Sequence, residues 1–289
     1  MLTGRRSLQE RLRIYEEAIR LKERGLGYKR IAKILKEKYG SSPSPGMICN
    51  WVKGRHHPLG SCNKLVMGPE LAYVIGGWLG DGTLALDRPR YQYYVKLSVK
   101  DYDFAESWGY YLSKAVGKSS PYKPRWSKHN QRWVVRGSSI QLYLILKRVR
   151  STGNPWILIR YLNPYPAYAL RGLFDAEGSV CPQWYEIGFT NTNMELITLT
   201  QWLLRRLGIE SRSYSHMMKR FLKDPQSDRI YQRRQTVLYD LRIRGRVNIL
   251  RFAERVGFTI KRKQRKLKEL LQRYRGQPAL AYRIEGVTQ

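Results

Sequence analysis

The chain has 289 residues, a length that allows about two domains. Its 54 Lys and Arg residues against 22 Asp and Glu give a formal net charge of +32, an excess typical of proteins that bind a polyanion such as DNA or RNA. Hydrophobic residues make up 42% of the chain, which excludes a wholly disordered protein, and no apolar run approaches the roughly 20 residues of a membrane-spanning helix.

Residues 1–60 predict a separate, small all-α domain. Apolar residues recur at helical spacing from Leu12 onward, and Ser44 followed by Pro45 is a typical helix start. The pattern resembles a helix-turn-helix domain, in which exposed side chains of the last helix enter a DNA groove. The segment before that last helix is longer than the usual turn, so an unrelated three-helix bundle is the alternative. The candidate DNA-binding residues are Asn50, Lys53 and Arg55.

Residues 61–68 predict a linker, and an apolar helix follows it. Pro69 stands where the first turn of a helix tolerates proline, and small residues recur four apart at Gly76 and Gly80. The helix ends at an acid, Asp81, before a glycine, which is a common residue just after a helix. Small residues at this spacing allow a second helix to pack closely.

Alternating strands and helices are predicted next. Residues 91–100 and 132–136 alternate between apolar and polar side chains, as half-buried strands do, and helices are predicted at about 101–116 and 138–150. Outward cations on such a sheet predict a DNA-binding face, although a merely solvated face is the alternative. The candidate base-reading residues here are Lys96, Arg125 and Arg136.

The same order of features occurs a second time. From Pro166 the chain repeats a proline, an apolar stretch, small residues four apart at Gly172 and Ala176, and an acid, Glu177, before a glycine. If the two helices pack side by side, Asp81 and Glu177 meet at one end, where two close carboxylates favour a divalent cation such as Mg²⁺. A buried helix that ends in a surface acid is the alternative for either copy alone.

The second repeat also predicts strands and helices. Residues 237–244 alternate as a strand with Asp240, Arg242 and Arg244 on its outer face, and helices are predicted at about 193–207 and 245–256. Arg242 is a further candidate base reader, and Arg244 a further candidate DNA-binding residue. Residues 218–235 form a basic insertion, predicted as a hairpin or loop. The basic residues 261–275 predict a helix, which we interpret as a solvated face near phosphates.

The two acid-ended segments resemble a known motif. LRGLFDAEG, residues 170–178, is similar to the motif of LAGLIDADG homing endonucleases, and VIGGWLGDG, residues 74–82, is similar to its degenerate form. The first copy departs from the motif at Leu79, where the family name has an acid. The resemblance covers about residues 69–275. It implies an α+β fold in which two pseudo-symmetric αββαββα repeats form a saddle that straddles DNA, with repeat 1 at 69–150, a linker at 151–162, repeat 2 at 163–275 and a tail at 276–289.

The resemblance also implies roles for individual residues. The final acids, Asp81 and Glu177, bind Mg²⁺, for which Mn²⁺ can substitute in this family, and the preceding carbonyl groups of Gly80 and Ala176 assist. In the family a lysine lies near the metals, and Lys100 is the candidate for that catalytic position. Asn191 is at the matching position of repeat 2, which indicates an asymmetric site.

The implied function is a site-specific double-strand DNA endonuclease, a monomer that cleaves a long, near-asymmetric target. The termini lack the residues that protein splicing requires, which favours a free-standing, intron-encoded enzyme over an intein. No signal peptide is apparent, so we expect a cytoplasmic protein of a prokaryote or one inside an organelle, without membrane partners. The alternative is a non-cleaving DNA- or RNA-binding protein, such as a regulator or an intron maturase, on the same scaffold.

Overall fold

The computed structural model describes residues 6–58, 65–87, 92–218, 221–223, 230–232 and 237–275. The chain forms two compact units: the first extends to Lys64 and includes Ser139–Gln141, and the second contains the remaining residues. Among the helices of the described residues, none is both long enough and apolar enough to cross a membrane.

The first unit contains three helices around a small apolar core. The Ser7 side chain accepts a hydrogen bond from the Glu10 amide, and the Glu10 carboxylate accepts one from the Ser7 amide, a capping box that starts the first helix. At the start of the third helix, the Ser44 side chain accepts a hydrogen bond from the Met47 amide. The helices are α1 (Leu8–Glu23), α2 (Tyr28–Tyr39) and α3 (Pro45–Val52), and the core consists of Ile14, Ala18, Leu21, Ile31, Leu35, Ile48 and Trp51.

The second unit begins with one αββαββα repeat. Its four strands form an antiparallel sheet in the order β1-β2-β4-β3, and the predicted inward residues Val95, Leu97 and Val99 of the second strand are buried. The elements are α4 (Pro69–Asp81), β1 (Gly82–Asp87), β2 (Gln92–Val99), α5 (Tyr102–Ala115), β3 (Arg125–Ser127), β4 (Arg132–Ser138) and α6 (Ile140–Thr152).

A second repeat follows the short helix α7 (Ile159–Leu162), and its sheet has the order β5-β6-β10-β7. The inserted strands β8 and β9 pair with each other and lie in the predicted basic insertion. The α+β fold with two αββαββα repeats is confirmed. The elements are α8 (Pro166–Glu177), β5 (Gly178–Cys181), β6 (Glu186–Asn191), α9 (Met194–Arg206), β7 (Arg212–Met217), β8 (Phe221–Lys223), β9 (Ile230–Gln232), β10 (Val237–Arg244), α10 (Arg246–Arg255) and α11 (Lys261–Arg275).

Helices α4 and α8 pack against each other through the predicted small residues. A Cβ atom on Gly76 would overlap the carbonyl oxygen of Ala169, and one on Gly172 would overlap the carbonyl oxygen of Tyr73. The backbones therefore approach more closely than larger side chains would allow, and the predicted close helix pair is confirmed. Because the two helices run in the same direction, their C-terminal ends, each with an acid, lie together.

Candidate functional site

The final acids of the two helices lie at one site. A Cβ atom on Gly80 would be 2.5 Å from the Cβ of Ala176 and 3.0 Å from the Cγ of Glu177, so the ends of α4 and α8 are in contact. Burial raises the pKa of both Asp81 and Glu177, and the charge of Asp81 raises the pKa of Glu177 further. Two partly buried carboxylates that repel each other gain from a cation placed between them.

The donor atoms available here suit a hard divalent cation. Carboxylate oxygens come from Asp81 and Glu177, and the carbonyl groups of Gly80 and Ala176 belong to the same two helix ends. Oxygen donors of this kind fit Mg²⁺, which keeps several waters and takes few protein ligands. Among the residues that the structure describes, no group of three or more His, Cys, Asp or Glu side chains is placed to hold a metal ion.

Asn191 orients one of the two acids. It lies at the end of β6, and its Nδ2 donates a hydrogen bond of 3.1 Å to the Oε1 of Glu177. Its own Oδ1 accepts a hydrogen bond of 2.9 Å from the amide of Asn193, which fixes the side chain. The structure therefore brings Asn191 to Glu177, as the predicted catalytic set requires.

Lys263, on α11, is a buried cation that the sequence analysis missed. Its side chain is 5% exposed, and its Nζ donates hydrogen bonds to the carbonyl oxygens of Phe174 (2.9 Å) and Asp175 (2.6 Å) near the end of α8. Burial lowers the pKa of Lys263 to about 8, although nearby acids oppose the decrease. The charge of Lys263 in turn lowers the pKa of both Asp81 and Glu177.

The described contacts link Lys263, and not Lys100, to the two acids. Lys100 follows β2 and has an exposed side chain. Its neighbour Asp101 accepts two hydrogen bonds of 2.7 Å from the guanidinium of Arg262, which anchors the start of α11 to the first repeat. Together with the bonds from Lys263 to α8, this pair makes α11 a bridge between the repeats.

Residues 261–275 form a helix with the expected solvated face, but the opposite side of α11 is buried. Lys263 is buried in line with Leu267 and Leu270, while Arg265, Lys266, Lys268 and Glu269 are exposed. The spacing of these three positions is that of an apolar helix face, and it was the available signal for a buried lysine.

A second motif acid, Asp175, has a structural role. It is 1% exposed and accepts hydrogen bonds from the Tyr73 hydroxyl (2.8 Å), the Thr259 amide (3.0 Å) and the Thr259 hydroxyl (2.6 Å). These bonds connect α4, α8 and the segment before α11. The carboxylate oxygens of Asp175 are thus engaged within the protein.

The outer face of the first sheet carries the predicted cations. Lys96 on β2 lies opposite Arg136 on β4, and Arg125 on β3 lies in the same sheet. All three are on the face opposite the buried residues of β2, and the guanidinium of Arg136 lies 4.7 Å from the centre of the Tyr94 ring. Flat aromatic and cationic groups on one exposed face are suited to contact with DNA.

The outer face of the second sheet is different, because Arg242 and Arg244 of β10 are paired with acids. Arg244 donates hydrogen bonds of 2.9 and 2.7 Å to Glu186, and Arg242 pairs with Glu186 and, at 3.3 Å, with Asp240. Asp240 was expected to be exposed on this face, but it is 8% exposed, because Arg242 and Thr190 hydrogen-bond to it. Arg242 and Arg244 are on the predicted face, but they are held by acids.

In the first unit, the three candidate DNA-binding side chains are exposed. Asn50 is on α3, and Lys53 and Arg55 immediately follow it. The Trp51 indole donates a hydrogen bond of 3.1 Å to the Nδ1 of His56, which secures the chain after the helix.

Comparison with known proteins identifies similar families, relatives and solved structures. The profile of the LAGLIDADG-like domain matches residues 164–257. The chain is 30% identical over 258 residues to an uncharacterised protein of Methanocaldococcus jannaschii, MJ0398, covering 87% of this chain and 90% of that protein. Among solved structures, the homing endonuclease I-DmoI in complex with DNA and Ca matches with 20% identity and a TM-score of 0.46, covering 69% of this chain and 97% of that chain.

Another match is full-length DUF199/WhiA from Thermotoga maritima, with 16% identity and a TM-score of 0.43, covering 76% of this chain and 66% of that chain. The matched profile includes the second motif helix and most of its repeat, and the first repeat has the same order of elements around its own motif helix. The chain therefore belongs to the LAGLIDADG family.

Proposed function

We propose that this protein is a site-specific endonuclease that hydrolyses both strands of duplex DNA. The observation that carries the proposal is the cluster of Asp81 and Glu177 at the paired helix ends, with the amine of Lys263 buried near them. Two carboxylates and a cation with a lowered pKa are the groups that metal-assisted phosphodiester hydrolysis needs. The net charge of +32 supports a polyanionic substrate.

Each side chain has a definite task in this proposal. Asp81 and Glu177, with the carbonyl groups of Gly80 and Ala176, would hold Mg²⁺ or Mn²⁺, which would supply an activated water and stabilise charge on the phosphate. Asn191 keeps the Glu177 carboxylate in one orientation.

Lys263 supplies a proton-transfer group. Two of its N–H groups are used by main-chain carbonyls, which leaves its third position for a proton or a lone pair. With a pKa of about 8, Lys263 can take up or release that proton near neutral pH, as a general acid or base must. Lys100, exposed after β2, is the weaker candidate for this role.

The outer faces of the two sheets would hold the DNA. Lys96, Arg125 and Arg136 are available on the first sheet, whereas Arg242 and Arg244 of the second sheet are fixed in ion pairs. The first unit, through exposed side chains around the end of α3, would extend the bound length of DNA. Together these surfaces support a long target site, bound by one copy of the chain.

The test is cleavage of a library of long duplexes in Mg²⁺, with the cut ends sequenced. Wild-type protein should cut at one sequence, and Asp81→Asn or Glu177→Gln should abolish cutting while duplex affinity stays within about tenfold. The matched control is Glu254→Gln, an exposed acid on α10, which should cut normally. Cutting by the Asp81 or Glu177 variants would refute the metal assignment. Tight binding without cutting by wild-type protein, in Mg²⁺ and in Mn²⁺, would favour the non-cleaving regulator or maturase.

A further inference from the structure

A cationic cleft of about 730 Å³ lies at one end of the second sheet. It is bordered by the end of α9, the start of β7, the end of β10 and the start of α10. Five arginines line it, against one acid, Glu210: Arg205, Arg212, Arg242, Arg244 and Arg251.

The charges of this cleft are only partly balanced within the protein. Glu186 and Asp240 pair with Arg242 and Arg244. Arg251 donates a hydrogen bond of 2.7 Å to the carbonyl oxygen of Gly208, which is neutral. Arg205 and Arg212 are exposed and form no ion pair with a described residue. Several guanidinium groups that share one concave surface repel each other, and an anion in the cleft would relieve that repulsion.

The shape of the donors indicates which anion fits. Guanidinium groups are planar forks that bind phosphate oxygens through paired hydrogen bonds, and they do so without changing their charge. The arginines come from four different elements, α9, β7, β10 and α10, so they surround the cleft instead of lining one helix. A phosphate group can therefore be contacted from several sides.

The cleft is also separate from the two motif acids. Arg212 lies opposite Arg242 in the sheet register, and Arg244 lies opposite Glu186 at the start of β6. Asn191, which contacts Glu177, lies five residues further along the same strand, about 16 Å away at about 3.3 Å per residue. The cleft opens beside the outer face of the sheet, where the proposed function places DNA.

We propose that this cleft binds backbone phosphates of duplex DNA that extends past the second sheet, beyond the cleavage centre. This inference rests on the proposed function, because it takes from it that duplex DNA lies along the outer face of the second sheet. It does not require that the DNA is cleaved. Contacts to phosphates carry no base preference, so the cleft would add affinity and fix the position of the duplex on this sheet. The paired Arg242 and Arg244 would form its fixed wall, and Arg205 and Arg212 its free charges.

The test is the salt dependence of duplex binding, measured without divalent cations so that no cleavage occurs. The Arg205→Gln, Arg212→Gln double variant should reduce the slope of log affinity against log salt by about 2, since each lost phosphate contact removes about 0.9. The matched control is Arg206→Gln: Arg206 neighbours Arg205 but lies 5.9 Å from the Trp202 ring, outside the cleft. This control should change the slope by less than about 0.5. Arg205→Gln alone should give half of the double variant's effect, which covers the case of a misfolded double variant.

Equal slopes for the double variant and the Arg206 control would overturn the proposal. So would a change that appears with duplex RNA but not with duplex DNA. Asp81→Asn separates the two proposals, because it should stop cleavage and leave the salt slope as in wild-type protein. If the cleft does not bind phosphates, the cleavage assay can still succeed. If the protein does not cleave DNA, the salt slopes of the variants can still be compared.

Discussion

Because Lys263 is buried, we expect the free energy of unfolding of this chain to depend on pH. Its pKa is about 8 in the folded chain, against an ordinary value of 10.5. Charged groups that face it are Asp175, Arg262, Asp101 and Asp81, and burial outweighs the attraction of the acids. The unfolded chain, in which the lysine is hydrated, keeps the ordinary pKa.

The sign and the size of the effect follow from these two values. Between about pH 8 and 10.5 the unfolded chain binds more protons at Lys263 than the folded chain does, so the free energy of unfolding rises with pH in that window. A difference of about 2.5 in pKa, at about 1.4 kcal/mol for each, makes the total rise about 3 kcal/mol. Below about pH 8 the contribution is constant and unfavourable.

Lys263→Met removes this titration and is the variant to compare. At pH 7 it removes the cost of the buried charge, but it also leaves the carbonyls of Phe174 and Asp175 without their donor, at about 1–3 kcal/mol each. The two chains should therefore differ little at pH 7. At pH 10 and above, the wild-type chain should be the more stable by about 3 kcal/mol.

Urea unfolding of both chains at pH 7, 8.5 and 10.5 measures this difference. The other titratable groups are common to both chains, so their contributions cancel in the comparison. A stability difference that stays the same from pH 7 to pH 10.5 would refute the lowered pKa, and with it the role of Lys263 in proton transfer near neutral pH.

Two further changes test the helix pair and its supports. Asp175→Leu leaves the Tyr73 hydroxyl and the Thr259 donors without an acceptor, so urea unfolding should show a loss of about 3 kcal/mol, and an unchanged midpoint would contradict the network. Gly76→Val should separate α4 from α8, because the added Cβ overlaps the backbone of Ala169; we expect a comparable loss of stability and at least a hundredfold loss of cleavage, measured on the wild-type target. Normal cleavage by this variant would show that the close approach is dispensable.

The sequence alone predicted the parts of this fold that follow local rules. The strand at residues 91–100 was predicted from alternation, and it forms at Gln92–Val99 with its apolar side buried. Each of the two paired helices was predicted from a proline at its start, small residues four apart and a final acid. All of these features lie within the helix itself. Elements of this kind depend on near neighbours in the chain.

Lys263 could not be assigned in the same way. A lysine in a run of cations is most often solvated, and the groups that bury it lie almost ninety residues earlier, near the end of α8. Only its position in line with Leu267 and Leu270 marks it as buried, and that spacing is weak evidence while the partner surface is unknown.

An alternating strand pattern does not distinguish a free cation on the outer face from one that is paired with an acid. Alternation placed Arg242 and Arg136 on outer faces equally well, yet Arg136 lies over a tyrosine ring while Arg242 is held by Glu186 and Asp240. A cation paired to a buried acid loses less freedom on binding, but it also neutralises less phosphate charge. The first sheet should therefore supply more of the salt-dependent attraction. Beside the second sheet, Glu186 and Asp240 hold Arg242 and Arg244, so we expect that attraction to come mainly from Arg205 and Arg212, which form no ion pair with a described residue.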